Sequence, residues 1–144
     1  MKKIISLSIF FFATALSSFA QKDKKKLTVP AAVKQALSAK YPAAKNVRWE
    51  KENGNYEANW GGRSGEDHSV QFTPRGNFVE RVDAIPVSKV PEEINRYVKK
   101  HFHVEGITEA GMLTDASGKT FYEVEVKGKD VIFSKDGKFV KSEG

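Results

Sequence analysis

The sequence predicts an α+β fold made of two tandem units, each an amphipathic helix followed by four antiparallel strands. Three observations predict it. Val29 to Glu80 and Val90 to Lys141 lay over each other as an internal duplication. Each copy opens with apolar residues at helical spacing. The remainder of each copy alternates with period two between turns that carry glycine.

The duplication is ordered from end to end. Both copies start Val-Pro, at Val29-Pro30 and Val90-Pro91. Val33, Leu37 and Tyr41 then match Ile94, Val98 and Phe102, each pair 61 positions apart. Tyr56 to Trp60 matches Tyr122 to Val126 at an offset of 66, so the second copy holds five extra residues in an early strand or hairpin. The offset returns to 61 for Val70 to Val79 against Val131 to Val140, with the turn glycines Gly76 and Gly137 in the same place.

Taken in order, Met1-Lys2-Lys3 is a short basic segment, Ile4 to Leu16 is apolar, and Ser18-Phe19-Ala20 offers the small residues of a cleavage site. Residues 1–20 therefore predict a secretory signal cut near Ala20. The apolar run is shorter than the roughly 20 residues of a membrane span. The chain contains no cysteine, which excludes disulfides, thiol catalysis, thiolate metal sites and a lipid on an N-terminal cysteine. A periplasmic or secreted protein without a stable membrane anchor is the expectation.

Residues 21–28 form a Lys-rich linker. The whole chain carries a net charge of +6, which invites a nucleic-acid reading. Location removes it: Lys22, Lys24, Lys25 and Lys26 against Asp23 put +3 on this linker, and residues 27–144 hold 18 Lys plus Arg against 17 Asp plus Glu, a net +1. Phosphate neutralisation needs a clustered basic face, so no nucleic-acid partner is expected.

The first unit spans residues 29–84. Pro30 suits a first helical position, Val33, Ala36, Leu37 and Tyr41 form one buried stripe, and Pro42 disfavours helical geometry at Tyr41. Strands follow near Val47 to Glu52, Asn55 to Trp60, His68 to Thr73 and Asn77 to Asp83. Val47, Trp49, Tyr56, Ala58, Trp60, Val70 and Phe72 face the helix. Asn53-Gly54 and Arg75-Gly76-Asn77 are hairpin turns, because glycine and asparagine accept positive φ. Gly61 to Gly65 is the long loop, and residues 85–89 link the units.

The second unit spans residues 90–144. Pro91 sets its helix start, Glu92 and Glu93 favour the positive end of the helix dipole, and Ile94, Tyr97, Val98 and Phe102 form its stripe. Strands follow near Ile107 to Thr114, Thr120 to Lys127, Lys129 to Phe133 and Lys138 to Ser142. Its turns are Ser117-Gly118, Gly128 and Asp136-Gly137.

This order of elements carries a family resemblance over residues 29 to 143. A cysteine-free secreted chain with two Val-Pro helices, a Tyr-Pro stop, a Val-x-Trp strand, Tyr-x-Ala/Val strands and a Val-x-Phe-Thr-Pro-Arg-Gly-Asn-Phe hairpin resembles the PepSY-like family with a beta-lactamase-inhibitor-like fold. The second copy departs from the pattern at His101-Phe102-His103 and lacks a tryptophan in its first strand. The resemblance implies that the two four-stranded sheets join into one curved sheet, with helices on the convex face and an open concave face. It also implies a role in binding or restraining other proteins.

Candidate chemistry is sparse. His101 and His103 stand two apart near a helix end and could pinch a metal, yet no third ligand is evident nearby. His68 beside Glu66-Asp67 has no nucleophile motif, and Gly62-Arg63-Ser64-Gly65 is not the nucleophile elbow. A small metal-binding protein or enzyme using His68, His101 and His103 is the alternative reading. The preferred one is a non-enzymatic, cofactor-free module that binds a periplasmic or extracellular protein. Its candidate binding face comprises strand residues turned away from the helices: Arg48, Glu50, Glu57, Asn59 and Gln71 in the first copy, and Phe121, Glu123, Glu125 and Ile132 in the second. A mixed polar and apolar concavity with charges of both signs, rimmed by Gly61 to Gly65, suits a protein partner.

Overall fold

The computed structural model describes residues 27–143, so the expected signal and most of the Lys-rich linker lie outside the described residues. The elements run α1 (Ala31–Lys40), β1 (Arg48–Glu52), β2 (Asn55–Trp60), β3 (His68–Phe72), β4 (Phe78–Ala84), a 3-10 turn (Val87–Lys89), α2 (Glu92–Phe102), β5 (Glu109–Asp115), β6 (Thr120–Val126), β7 (Lys129–Ser134) and β8 (Phe139–Glu143). All strands pair antiparallel with their neighbours in sequence, giving one eight-stranded curled sheet in the order β1 to β8. The two helix-plus-four-strand units join edge to edge through β4 and β5, where Val82 stands opposite Leu113.

Duplicated positions do duplicated work. The core under α1 contains Val29, Val33, Leu37, Ala58, Trp60, Val70 and Phe72. That under α2 contains Val90, Ile94, Val98, Val124, Val126, Val131 and Phe133. These are the same seven places in each unit, and each set is the apolar half of a period-two alternation meeting an apolar helix stripe. Register shifts also recur, at Gln71/Phe72 between β3 and β4 and at Ile132/Phe133 between β7 and β8. Such irregularities bend the bulged strand and raise its twist, which helps the sheet to curl.

The helix ends differ from the sequence reading in one detail. Pro30 and Pro91 precede their helices rather than occupying the first helical position, with ψ of 146° and 142°. Their carbonyls accept the first helical hydrogen bonds, from Val33 and Lys34 in one unit and from Ile94 and Asn95 in the other. A residue lacking an N–H costs nothing there, since the position donates no helical bond. Helix α1 stops at Tyr41, whose N–H still bonds Leu37, because Pro42 drives Tyr41 out of helical geometry. Helix α2 has no proline to stop it and ends at His103 in the left-handed conformation, φ 52°.

Strand ends move by one or two residues. The first strand begins at Arg48 rather than Val47, the fourth runs from Phe78 to Ala84, and the fifth starts at Glu109 rather than Ile107. The surplus of the second copy lies in β5, seven residues against five in β1, in the turn after it, four residues against two, and in β6, seven against six in β2.

Candidate functional site

Alternation turns Arg48, Glu50 and Glu52 of β1 away from the helices, and cross-strand pairing carries that face through the whole sheet. Glu50 stands opposite Glu57, Glu57 opposite Gln71, and Gln71 opposite Glu80, which in turn faces Asp115. A second row runs Glu109, Glu125, Asp130, Glu143. Residues paired across antiparallel strands share a face, so these are five directly opposed carboxylate pairs: Glu50 with Glu57, Glu80 with Asp115, Glu109 with Glu125, Glu125 with Asp130, and Asp130 with Glu143. Each such pair weakens a sheet.

The curl brings the Glu50 and Glu57 end of the first row and Glu109, Glu125 and Asp130 of the second around one hollow. Arg48 and Glu50 on β1 and Asp130 on β7 line the same cavity of about 250 Å³, together with Glu57, Asn59, Glu66, Ser69, Glu109, Glu123 and Glu125. Six strand steps in a flat sheet would separate β1 from β7 by about 29 Å. Charges of both signs are present, but carboxylates dominate: Arg48 is the cation among the described lining residues of the hollow, and Lys141, opposite Ile132 on the same face, pairs with Glu143. Arg48 is already engaged, donating to Glu50 at 3.1 Å and pairing with Glu66.

Crowding and burial hold protons on this face. Burial, with repulsion from Asp130, Glu80, Glu57 and Glu52 added, pushes Glu123 up to about 8. Burial followed by the Glu57 charge pushes Glu52 up to about 7. Glu80 and Asp130 are also raised, burial again being the first cause. Local bonds fix some of the acids: Gln71 donates to Glu52 at 2.7 Å, and the Ser69 hydroxyl donates to Glu57.

The nine candidate residues do share this face, with differences in exposure. Arg48, Glu50, Glu57, Asn59, Glu123 and Glu125 line the hollow. Gln71 is buried and committed to Glu52. Ile132 is 1% exposed, so it is not on a wet surface. Leu113 on β5 is likewise only 3% exposed, and neither residue belongs to the core under either helix. Both are buried on the inner side of the curl. Phe121 sits opposite Leu113, with the Lys119 ammonium 5.1 Å from its ring centre. Glu66, rather than Gly61 to Gly65, supplies the loop's contribution to the cavity wall. Sequence reading missed Glu52, Glu80, Glu109, Asp130 and Glu143; Glu52 and Asp130 stand two residues from Glu50 and Ile132 on faces already assigned, whereas Glu80, Glu109 and Glu143 join the face only through strand register.

The histidines are dispersed. His68 Nδ1 lies 2.7 Å from Asp83, which also receives Arg81, and its ring packs on Trp60 at 5.4 Å. His101 stacks on Tyr97 at 4.1 Å, and His103 caps α2. Among the described residues no group of three or more His, Cys, Asp or Glu is placed to hold a metal ion.

The family model described as "beta-lactamase-inhibitor-like, PepSY-like" matches residues 21–80 and again 62–141. The chain belongs to this PepSY-like family. Solved structures share the fold at low identity. A BLIP-like protein from Bacteroides fragilis is 20% identical, with 84% of this chain and 89% of that chain covered and a TM-score of 0.57. DUF2874 family proteins from Bacteroides ovatus and Bacteroides uniformis are each 18% identical over 81% of this PepSY-like chain, covering 88% and 89% of their own lengths, with TM-scores of 0.58 and 0.60. Another neighbour, from Bacteroides eggerthii, is described as periplasmic, at 18% identity, 81% and 89% coverage and a TM-score of 0.61. No curated protein matches the chain. Among the described residues no helix is long and apolar enough to cross a membrane.

Proposed function

We propose that this PepSY-like chain is a non-catalytic module that docks an extracytoplasmic protein on the concave face of its sheet. The observation that carries the reading is the set of five directly opposed carboxylate pairs on one face. A sheet gains nothing from facing like charges across its ladders. Arg48 bridges Glu50, Lys141 bridges Glu143 and Asp115 bonds its own turn. Glu109, Glu125 and Asp130, however, face one another with no bonded cation among the described residues, which supports a use other than the fold's own stability. The one hydroxyl that bonds a carboxylate among the described lining residues, Ser69 on Glu57, has no histidine beside it in the hollow, and the carboxylates sit in rows rather than around a reaction centre. Binding rather than catalysis is what such a surface offers, and the inhibitor-like description of the family supports the same reading.

The test is affinity capture from periplasmic extract, read by mass spectrometry, with unmodified chain and with Glu57→Lys plus Glu123→Gln. Capture of a defined protein should fall tenfold or more, about 1.4 kcal/mol, while the fold is kept. If capture survives those changes and is lost instead on replacing His68, His101 and His103, the concave face is not the site and the histidines are.

A further inference from the structure

Two independent observations on the concave face narrow the chemistry of what docks there. The first is the pairing of like charges in both units, Glu50 against Glu57 and Glu125 against Asp130, around one shared cavity. A positive group laid between opposed carboxylates removes their repulsion and replaces it with attraction. The second is Asn59. It is 6% exposed, it lines the same cavity, and its side-chain amide makes no hydrogen bond among the described residues. Its register neighbours Arg48 and Ser69 bond elsewhere, to Glu50 and to Glu57. No fully buried side-chain polar atom lacks a partner among the described residues, so the Asn59 amide opens onto the cavity itself, where its donor and acceptor match a peptide group, which offers one of each.

The distribution of charge decides between an ion and a chain. A metal requires ligands converging on one point, whereas these carboxylates lie in rows stepped at the strand spacing of about 4.8 Å. Among the described residues no convergent group of three exists. A line of negative charge suits a line of positive charge.

We propose that the docking segment of the partner is an extended stretch bearing lysine or arginine, its cationic side chains seated between the opposed carboxylates and its main chain meeting Asn59. This rests on the concave face being the docking surface. Association is then electrostatically steered and weakened by salt, because part of the contact is exposed to solvent.

Calorimetric titration of the full chain with a short synthetic peptide of alternating lysine and glycine tests it. A glutamate and glycine peptide serves as the control. The lysine peptide should bind and the glutamate peptide should not, and raising the salt should weaken the lysine peptide by tenfold or more. Glu57→Gln with Glu125→Gln should cost at least tenfold in affinity, whereas Glu92→Gln with Glu93→Gln on α2 should cost nothing. Both pairs are neutral, near-isosteric changes that remove repulsion or leave it untouched, and the salt titration reads the unmodified chain. Absence of lysine-peptide binding overturns the proposal. So does binding that ignores Glu57 and Glu125, or calcium ions alone saturating the face so that the peptide cannot displace them. If capture from extract still depends on Glu57 and Glu123 while the lysine peptide fails, the docking face stands and the cationic segment falls. If neither depends on the face, both fall together.

Discussion

A methyl group on Gly111 would stand 2.4 Å from Cγ1 of Val82. Gly111 lies on β5 between Ala84 of β4 and Glu123 of β6, on the inner side of the curl and at the seam of the two units. Its φ is not in the left-handed region, so crowding rather than backbone freedom requires glycine there. Valine is stiff about its first side-chain torsion and has little room to move aside. Gly111→Ala should therefore destabilise the protein by about 1 to 3 kcal/mol, read by urea unfolding. An unchanged midpoint would show that the seam is looser than the contact implies.

Gly54 and Gly76 separate two costs that usually come together. Both have φ of +84°, so both are strained by a side chain to the same degree, but only at Gly76 would the added carbon meet backbone, 2.7 Å from the Ala32 carbonyl oxygen. Gly54→Ala should cost about 1 to 2 kcal/mol from the positive φ alone. Gly76→Ala should cost about 1 to 3 kcal/mol beyond that, since the β3–β4 turn must back away from α1. Equal losses at the two sites would refute the close approach of turn and helix.

Buried apolar residues on the two sides of the sheet should weigh alike. Leu37→Ala and Val98→Ala, beneath the helices, should each cost about 2 to 4 kcal/mol through lost transfer energy and the cavity left behind. Ile132→Ala and Leu113→Ala should cost a similar amount, although neither touches a helix core. Thermal melts of the four variants check this. If the inner pair is tolerated while the helix pair is not, the inner side of the curl does not bury these two side chains as closely as the helices bury theirs.

The acidic face makes stability fall as pH rises. Glu123 at about 8 and Glu52 at about 7, against an ordinary 4.5, keep protons in the folded state that the unfolded chain has already released. Between about pH 4.5 and pH 8 unfolding thus releases protons, and the folded state loses stability progressively with rising pH. For Glu123 alone the effect is of the order of a few kcal/mol. Urea unfolding at about pH 5 should show a more stable protein than at about pH 8.5, and Glu123→Gln should raise stability at the higher pH and flatten the slope. Stability that is level or increases across this window would contradict the crowding of carboxylates.

The helix stripes and the faces of the first three strands were legible in the sequence because each is a period, and the duplication extended the reading to parts of the second copy. Val33 with Ile94 and Val70 with Val131 are paired by offset and then paired again by burial. The character of the concave face was not legible in the same way. Glu52, Glu80, Glu109, Asp130 and Glu143 come from five different strands, and they become neighbours only through register and curl. A net charge of +1 over residues 27–144 hid the segregation, because a sum does not record which side of a sheet its members occupy. Ile132 read as wet for a related reason: alternation assigns a residue to a face, and only the curvature of that face determines whether water reaches it.

The order β1 to β8, with every strand hydrogen-bonded to its neighbours in the chain, also bears on how the molecule forms. Each pairing closes a loop of short length, except the step from β4 to β5, which spans α2. Loop-closure entropy grows with the length enclosed, and folding rates fall as contacts become more distant in sequence. The first unit can therefore complete its helix-covered sheet while the second is still being synthesised, and β4 then presents a ready template on which β5 to β8 zip in turn.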